Sequence, residues 1–196
     1  MRKSVWIVLL LTCAMNSCSS EKKEIEKNTA LVDELPDARI IEDSLYRIQI
    51  PNTMKLTNSL DVNASLQFSD VFREQFVTVS EFDKKDHLDR LMRNKSAKKQ
   101  LSALENFSTL EYNAHMNAKS LLLESKWSTM EIDGSVFKIK AVDVEIYGAS
   151  KEISYWLAFV EGKNRLYTIK LWTPKNRKHL FEESANLIIR SFRERE

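Results

Sequence analysis

The chain has 196 residues, with 30 Lys and Arg against 28 Asp and Glu and a formal net charge of +2. That length supports one ordinary domain plus a tail, and basic residues interspersed with acidic ones exclude the basic stripe of a nucleic-acid binder. Only three glycines, Gly134, Gly148 and Gly162, leave no glycine-rich loop for a phosphate, and the two cysteines, Cys13 and Cys18, leave the folded region no disulfide.

Arg2 and Lys3 precede an apolar run that ends at Met15. At about eleven residues it is short of the roughly 18 that span a bilayer, so residues 1–17 read as a cleaved export signal. Ser17, Cys18, Ser19 and Ser20 follow and resemble the lipobox of bacterial lipoproteins. In that box the residue after the cut is a cysteine whose thiol receives a diacylglyceryl group, so Cys18 is the expected lipid attachment site. Met15-Asn16-Ser17 lacks the aliphatic residue usual three places before the cysteine, and Cys13, after Leu10-Leu11-Thr12, is the competing site. Ser17 is smaller than Thr12 and a polar run starts directly after Cys18, which favours Cys18. The plain alternative is an ordinary secreted protein with a free thiol. Without Arg2 and Lys3 the mature chain keeps 28 of its 30 basic residues against 28 acidic ones, net zero.

Residues 18–42 form the expected lipidated terminus and flexible linker: rich in charge, free of aromatic residues and interrupted by Pro36. The folded domain is expected over residues 43–196. Tyr46, Ile48 and Ile50 alternate before Pro51, a first strand. Two further strands make a hairpin around residues 71–74. Residues 87–92 are a short amphipathic helix, and Leu101, Leu104, Phe107, Leu110, Ala114, Ala118 and Leu121 step by three or four along a main helix. Four strands follow, over residues 127–132, 136–147, 153–160 and 166–172, with Asp133-Gly134 a two-residue hairpin turn. In the second of them the apolar phase switches from Phe137 and Ile139 to Val142 and Val144, which predicts a β-bulge near residues 140–142. The next is apolar on both faces and is expected at the centre of a sheet covered on each side. Thr173-Pro174 reads as an N-cap and first residue of a closing helix with Phe181, Ala185, Ile188 and Phe192 on one stripe.

This order, with the segments "YRIQIP", "MEIDGSVFKIKAVDVEIYG", "YWLAFVEGKNRLYTIKLWTP" and "FEESANLIIRSF", is similar to small lipoproteins of the PsbP-like superfamily over roughly residues 43–193. The resemblance implies an α+β fold: an antiparallel sheet of about six to seven strands covered by helices. It also implies a non-catalytic accessory role, as in the extrinsic photosystem II subunit and the Ran-binding nuclear import factor of that group. No binding residue of those members has a counterpart here.

Chemistry is sparse. His87, His115 and His179 have no partner at zinc-ligand spacing and read as surface or half-buried helix residues. Ser135 follows a hairpin turn and not a strand-to-helix elbow. No catalytic set, metal or cofactor is expected. Two candidate sites remain: Trp127, Trp156 and Trp172 on neighbouring strands as a ligand pocket, and Phe72 with Arg73 at a hairpin tip as a partner contact. Each has a bland alternative, tryptophans packed as core and a Phe72 folded back onto its strands. The expectation is an envelope lipoprotein at the outer membrane, facing the periplasm or the surface. It would act as an interaction or accessory module for an envelope protein, or else carry or sense a small apolar ligand.

Overall fold

The structure is a computed structural model that describes residues 35–93, 98, 100–117 and 119–195. The export signal, Cys13, Cys18 and most of the linker lie outside these residues. In chain order the strands and helices are β1 (Ala38–Glu42), β2 (Tyr46–Pro51), β3 (Lys55–Leu56), β4 (Leu66–Asp70), β5 (Gln75–Asp83), α1 (Lys84–Arg93) and α2 (Ala103–Met116). They continue with β6 (Lys119–Glu124), β7 (Ser128–Ile132), β8 (Ser135–Ile146), β9 (Lys151–Glu161), β10 (Arg165–Pro174), α3 (Lys178–Ser191) and β11 (Arg193–Glu194).

The main sheet is antiparallel throughout, in the order β3-β4-β5-β10-β9-β8-β6, with β7 paired to the first half of β8. A small sheet, β1-β2-β11, is also antiparallel. As its two apolar faces require, β9 sits between β10 and β8. Trp156, Ala158 and Val160 join the core beneath α3 and β2, whereas Tyr155, Leu157 and Phe159 join a second core beneath α2. Phe181, Ala185, Ile188 and Phe192 are fully buried, as the stripe on α3 predicts. Tyr46 stacks on Phe192 at 5.2 Å and meets Tyr167 edge-on at 5.8 Å, which ties the small sheet to the large one.

Four local expectations need correction. Residues 38–42 are not linker: β1 pairs with β2 from Ala38↔Pro51 to Glu42↔Arg47, and Arg39 donates to the Met54 carbonyl at 2.7 Å. The α2 helix, opened by a capping box between Ser102 and Glu105, leaves helical geometry at Asn117, and Leu121 belongs to β6. Leu121 fits the helical spacing by accident, because a short strand exposed at an edge carries no burial alternation. The bulge lies in β6, between Leu121 and Leu123, while β8 runs against β9 without interruption. The phase switch in β8 comes instead from two buried faces. Phe137 and Ile139 fill the core under α3, and Val142 and Val144 fill the one under α2. Thr173 and Pro174 still pair with Ser154 and Ile153 as the end of β10, so Thr173 caps no helix. A 3-10 turn, Lys175–Arg177, intervenes before α3.

Candidate functional site

The four-residue turn between β4 and β5 exposes two adjacent apolar side chains. Phe72 is 95% exposed and Val71 is 72% exposed. Phe72 does not fold back on its strands. The turn itself is fixed at both ends. Buried Asp70 accepts hydrogen bonds from the Arg73 backbone at 3.0 Å and from Arg73 Nη1 at 2.9 Å. Burial pushes the Asp70 carboxyl up, but these bonds and one from Thr53 outweigh it and hold the carboxyl below its ordinary value. From the start of α3, Arg177 Nη1 donates to the Phe72 carbonyl at 2.9 Å, and its Nε lies 3.0 Å from Glu74 Oε2. Glu74 takes a left-handed conformation, φ 54°, to close the turn.

Beside the tip lies a groove of about 670 Å³, walled by Arg73 and Gln75 of the hairpin, Leu180 and Leu187 of α3, and Leu35 and Pro36. Leu180, 64% exposed, extends the apolar rim. The site therefore combines an exposed aromatic side chain on a fixed backbone turn, a groove of mixed apolar and polar lining, and an arginine between them.

The three tryptophans do not come together. Trp156, on the α3 face of β9, is 2% exposed and packs edge-on against Phe181 at 5.6 Å. Trp172 lies on the opposite face, stacked on Phe76 at 5.3 Å and near Tyr155 at 6.0 Å. Trp127 packs on Tyr112 at 5.5 Å and Phe159 at 5.9 Å. Tyr155 and Phe159 are four residues apart on β9, about 13 Å along the strand, and Trp127 and Trp172 pack against different ones of the two. The half-cage of Trp127 and Tyr112 is filled by the protein's own cation: Lys140 Nζ lies 4.9 Å and 5.2 Å from the two rings and 2.6 Å from Glu124. The three do not share one pocket: Trp156 belongs to the core beneath α3, while Trp127 and Trp172 pack at different points of the core beneath α2.

A polar cluster escaped the reading of the sequence. The buried face of α2 does not continue from Phe107 through Leu110 and Ala114, both exposed, but through Glu111 and His115. His115 meets Tyr155 edge-on at 4.4 Å and its Nε2 is buried without a hydrogen-bond partner. Burial, then Lys119 and Lys170, push its imidazole down to about 3. Burial raises Glu111 against the pull of Lys170 and Arg90. Lys170 is paired with Asp61 at 2.5 Å, and Lys119 donates to the His115 carbonyl at the end of α2. Both lysines are thus spent on the fold. The members come from one loop, one helix and three strands, so no sequence spacing could announce them. His87 also differs from expectation. It is 4% exposed, wedged between Phe82 and Phe107 at 5.4 and 5.1 Å, and burial, then Arg90, lower its pKa. Among the described residues no group of three or more His, Cys, Asp or Glu could hold a metal ion.

No protein-family model matches the sequence, and no curated protein sequence matches it. Among solved structures the chain is similar to cyanobacterial PsbP (CyanoP) from Synechocystis sp. PCC 6803, at 13% identity and a TM-score of 0.54, over 86% of this chain and 99% of that one. It is also similar to the Ran-binding protein Mog1p of Saccharomyces cerevisiae, at 11% identity and a TM-score of 0.49, over 80% of this chain and 94% of that one. An antiparallel seven-strand path with helices on its faces, matched over nearly all of CyanoP, shows that this chain has the PsbP-like α+β fold.

Proposed function

We propose that this protein is a lipid-anchored, non-catalytic interaction module of a bacterial cell envelope, tethered through Cys18 and docking a protein partner at the β4–β5 tip and its groove. The observation that carries this reading is Phe72. An aromatic side chain 95% exposed contributes no burial to its own fold, yet Arg177 and Asp70 fix the backbone on both sides of it. An exposed aromatic and an arginine on a backbone turn that is fixed before binding have the composition and the pre-organisation of an interface hot spot. The groove supports a protein occupant, since apolar Leu180 and Leu187 and polar Arg73, Gln75, Glu183 and Ser184 share its walls.

Position adds a second support. Leu35, where the described chain begins, lines the groove. The 16 residues between Cys18 and Leu35 would have a root-mean-square span of roughly 20 to 25 Å as a flexible tether. A partner held at the same membrane is within that reach.

The experiment has two arms. Cys18→Ala should abolish palmitate labelling and release the protein from the membrane fraction; if Cys13→Ala does so instead, the anchor is Cys13. Phe72→Ala should lower the amount of co-purified envelope partner at least tenfold, with the melting temperature within about 2 °C of wild type, because Phe72 buries nothing in its own fold. A partner retained in full by that variant overturns the assignment of the tip.

A further inference from the structure

The two faces of the main sheet are closed by unequal means. On one, α3 buries Phe181, Ala185, Ile188 and Ile189, and its only histidine, His179, is exposed. On the other, α2 buries Leu104, Phe107 and Ser108, and among the described residues no main-chain hydrogen bond joins it to a strand. A helix held by so few buried apolar side chains is the kind of element that opens apart from the rest of a domain.

The contacts of α2 run through a histidine at each end. Near its start, Phe107 lies edge-on to His87 at 5.1 Å, and both nitrogens of that buried ring lack a hydrogen-bond partner. Near its end, His115 stands edge-on to Tyr155 of β9 at 4.4 Å, with Nε2 buried and unpartnered. An imidazole in such a place is held neutral, because the charged form would lose its water and gain no acceptor. The cations around the two rings reinforce this. Lys119 of β6 and Lys170 of β10 oppose a charge on His115, and Arg90 of α1 opposes one on His87. Of the carboxylates near α2, Asp61 is paired with Lys170 at 2.5 Å, and Glu124 of β6 accepts from Tyr112 at 2.9 Å and is held low by Lys140 and Tyr112. Glu111, one turn before His115, acts in the opposite sense. Burial raises its carboxyl, so it takes up a proton more readily with α2 closed and offsets part of the loss. Two histidines against one carboxyl leave a net release as the pH falls. We infer that α2 is an acid-released cover: in mild acid it leaves the sheet while α3 stays in place, and it uncovers Tyr155, Leu157 and Phe159 of the second core.

The test is amide hydrogen exchange of the full-length protein at pH 7 and pH 5, corrected for the intrinsic rate at each pH. A ring that is neutral when closed and ordinary when open shifts the opening equilibrium by about tenfold for each pH unit below 6.5. The α2 amides should therefore lose protection by about tenfold or more between the two conditions, and the α3 amides by less than about twofold. His115→Gln combined with His87→Leu should keep α2 protected and make that protection the same at both, whereas His179→Gln should behave as wild type. Where the double variant leaves α2 open at both, the wild-type comparison of α2 with α3 decides. Unchanged α2 protection at pH 5, equal loss from α2 and α3, or a double variant that still loses protection as wild type does would overturn the proposal.

Discussion

Several buried groups carry a cost that a single substitution can remove. The Thr78 and Thr168 hydroxyls are buried with no hydrogen-bond partner. A lone buried hydroxyl costs about 1 to 3 kcal/mol in desolvation, whereas valine has the same shape without it. Thr168→Val should therefore raise the melting temperature by about 2 to 4 °C for each kcal/mol recovered in a domain of this size; a fall would mean the hydroxyl is bonded through water. His115 acts in the opposite sense, through pH. The native imidazole stays neutral down to about 3, against an ordinary value of 6.5, so the unfolded chain binds the proton first. Stability present above about pH 6.5 is lost as the pH falls towards 3, at up to about 1.4 kcal/mol per pH unit. Between pH 6.5 and 4.5 the His115→Gln variant should lose stability less steeply than wild type in chemical denaturation. Parallel curves would contradict the buried, neutral assignment.

At the scale of elements, β1 makes the sharpest claim. Leu35 is 6% exposed, and Arg39 donates to Met54 and lies 5.3 Å over the Phe68 ring. A chain beginning at residue 43 should consequently melt at least 5 °C below one beginning at residue 35; equal melting would return residues 38–42 to the tether. Elements whose residues bury on a regular period were legible from the sequence: β2, β9 and α3 appear where Tyr46 to Ile50, the doubly apolar run to Val160, and the Phe181 to Phe192 stripe put them. What was not legible has a common cause. β1 and β6 lie at sheet edges, where little alternation is imposed, and the buried stretch of α2 turns polar at Glu111 and His115. The bulge was misplaced to β8 because two cores on opposite faces give the same phase switch as an inserted residue. The site was legible in part. Residues 71–74 declared a turn with Phe72 and Arg73, but the Arg177 clamp comes from more than a hundred residues away and has no local signature. The tryptophans misled because neighbouring strands do not fix which face a side chain takes.

For the whole molecule, the surface that carries the proposed function is the β4–β5 tip with the α3 groove. Tethering raises the effective concentration of the domain for a partner held at the same membrane. The central claim is this surface, and the most direct measurement is site-specific photo-crosslinking in intact cells. A photoreactive residue replaces Phe72 in the full-length chain, with Val62, equally exposed at 95% but on another loop, as the control. The account predicts one discrete envelope protein crosslinked from position 72 at least tenfold more than from position 62, and lost when Cys18→Ala frees the domain from the membrane. Equal, diffuse labelling from both positions would contradict it.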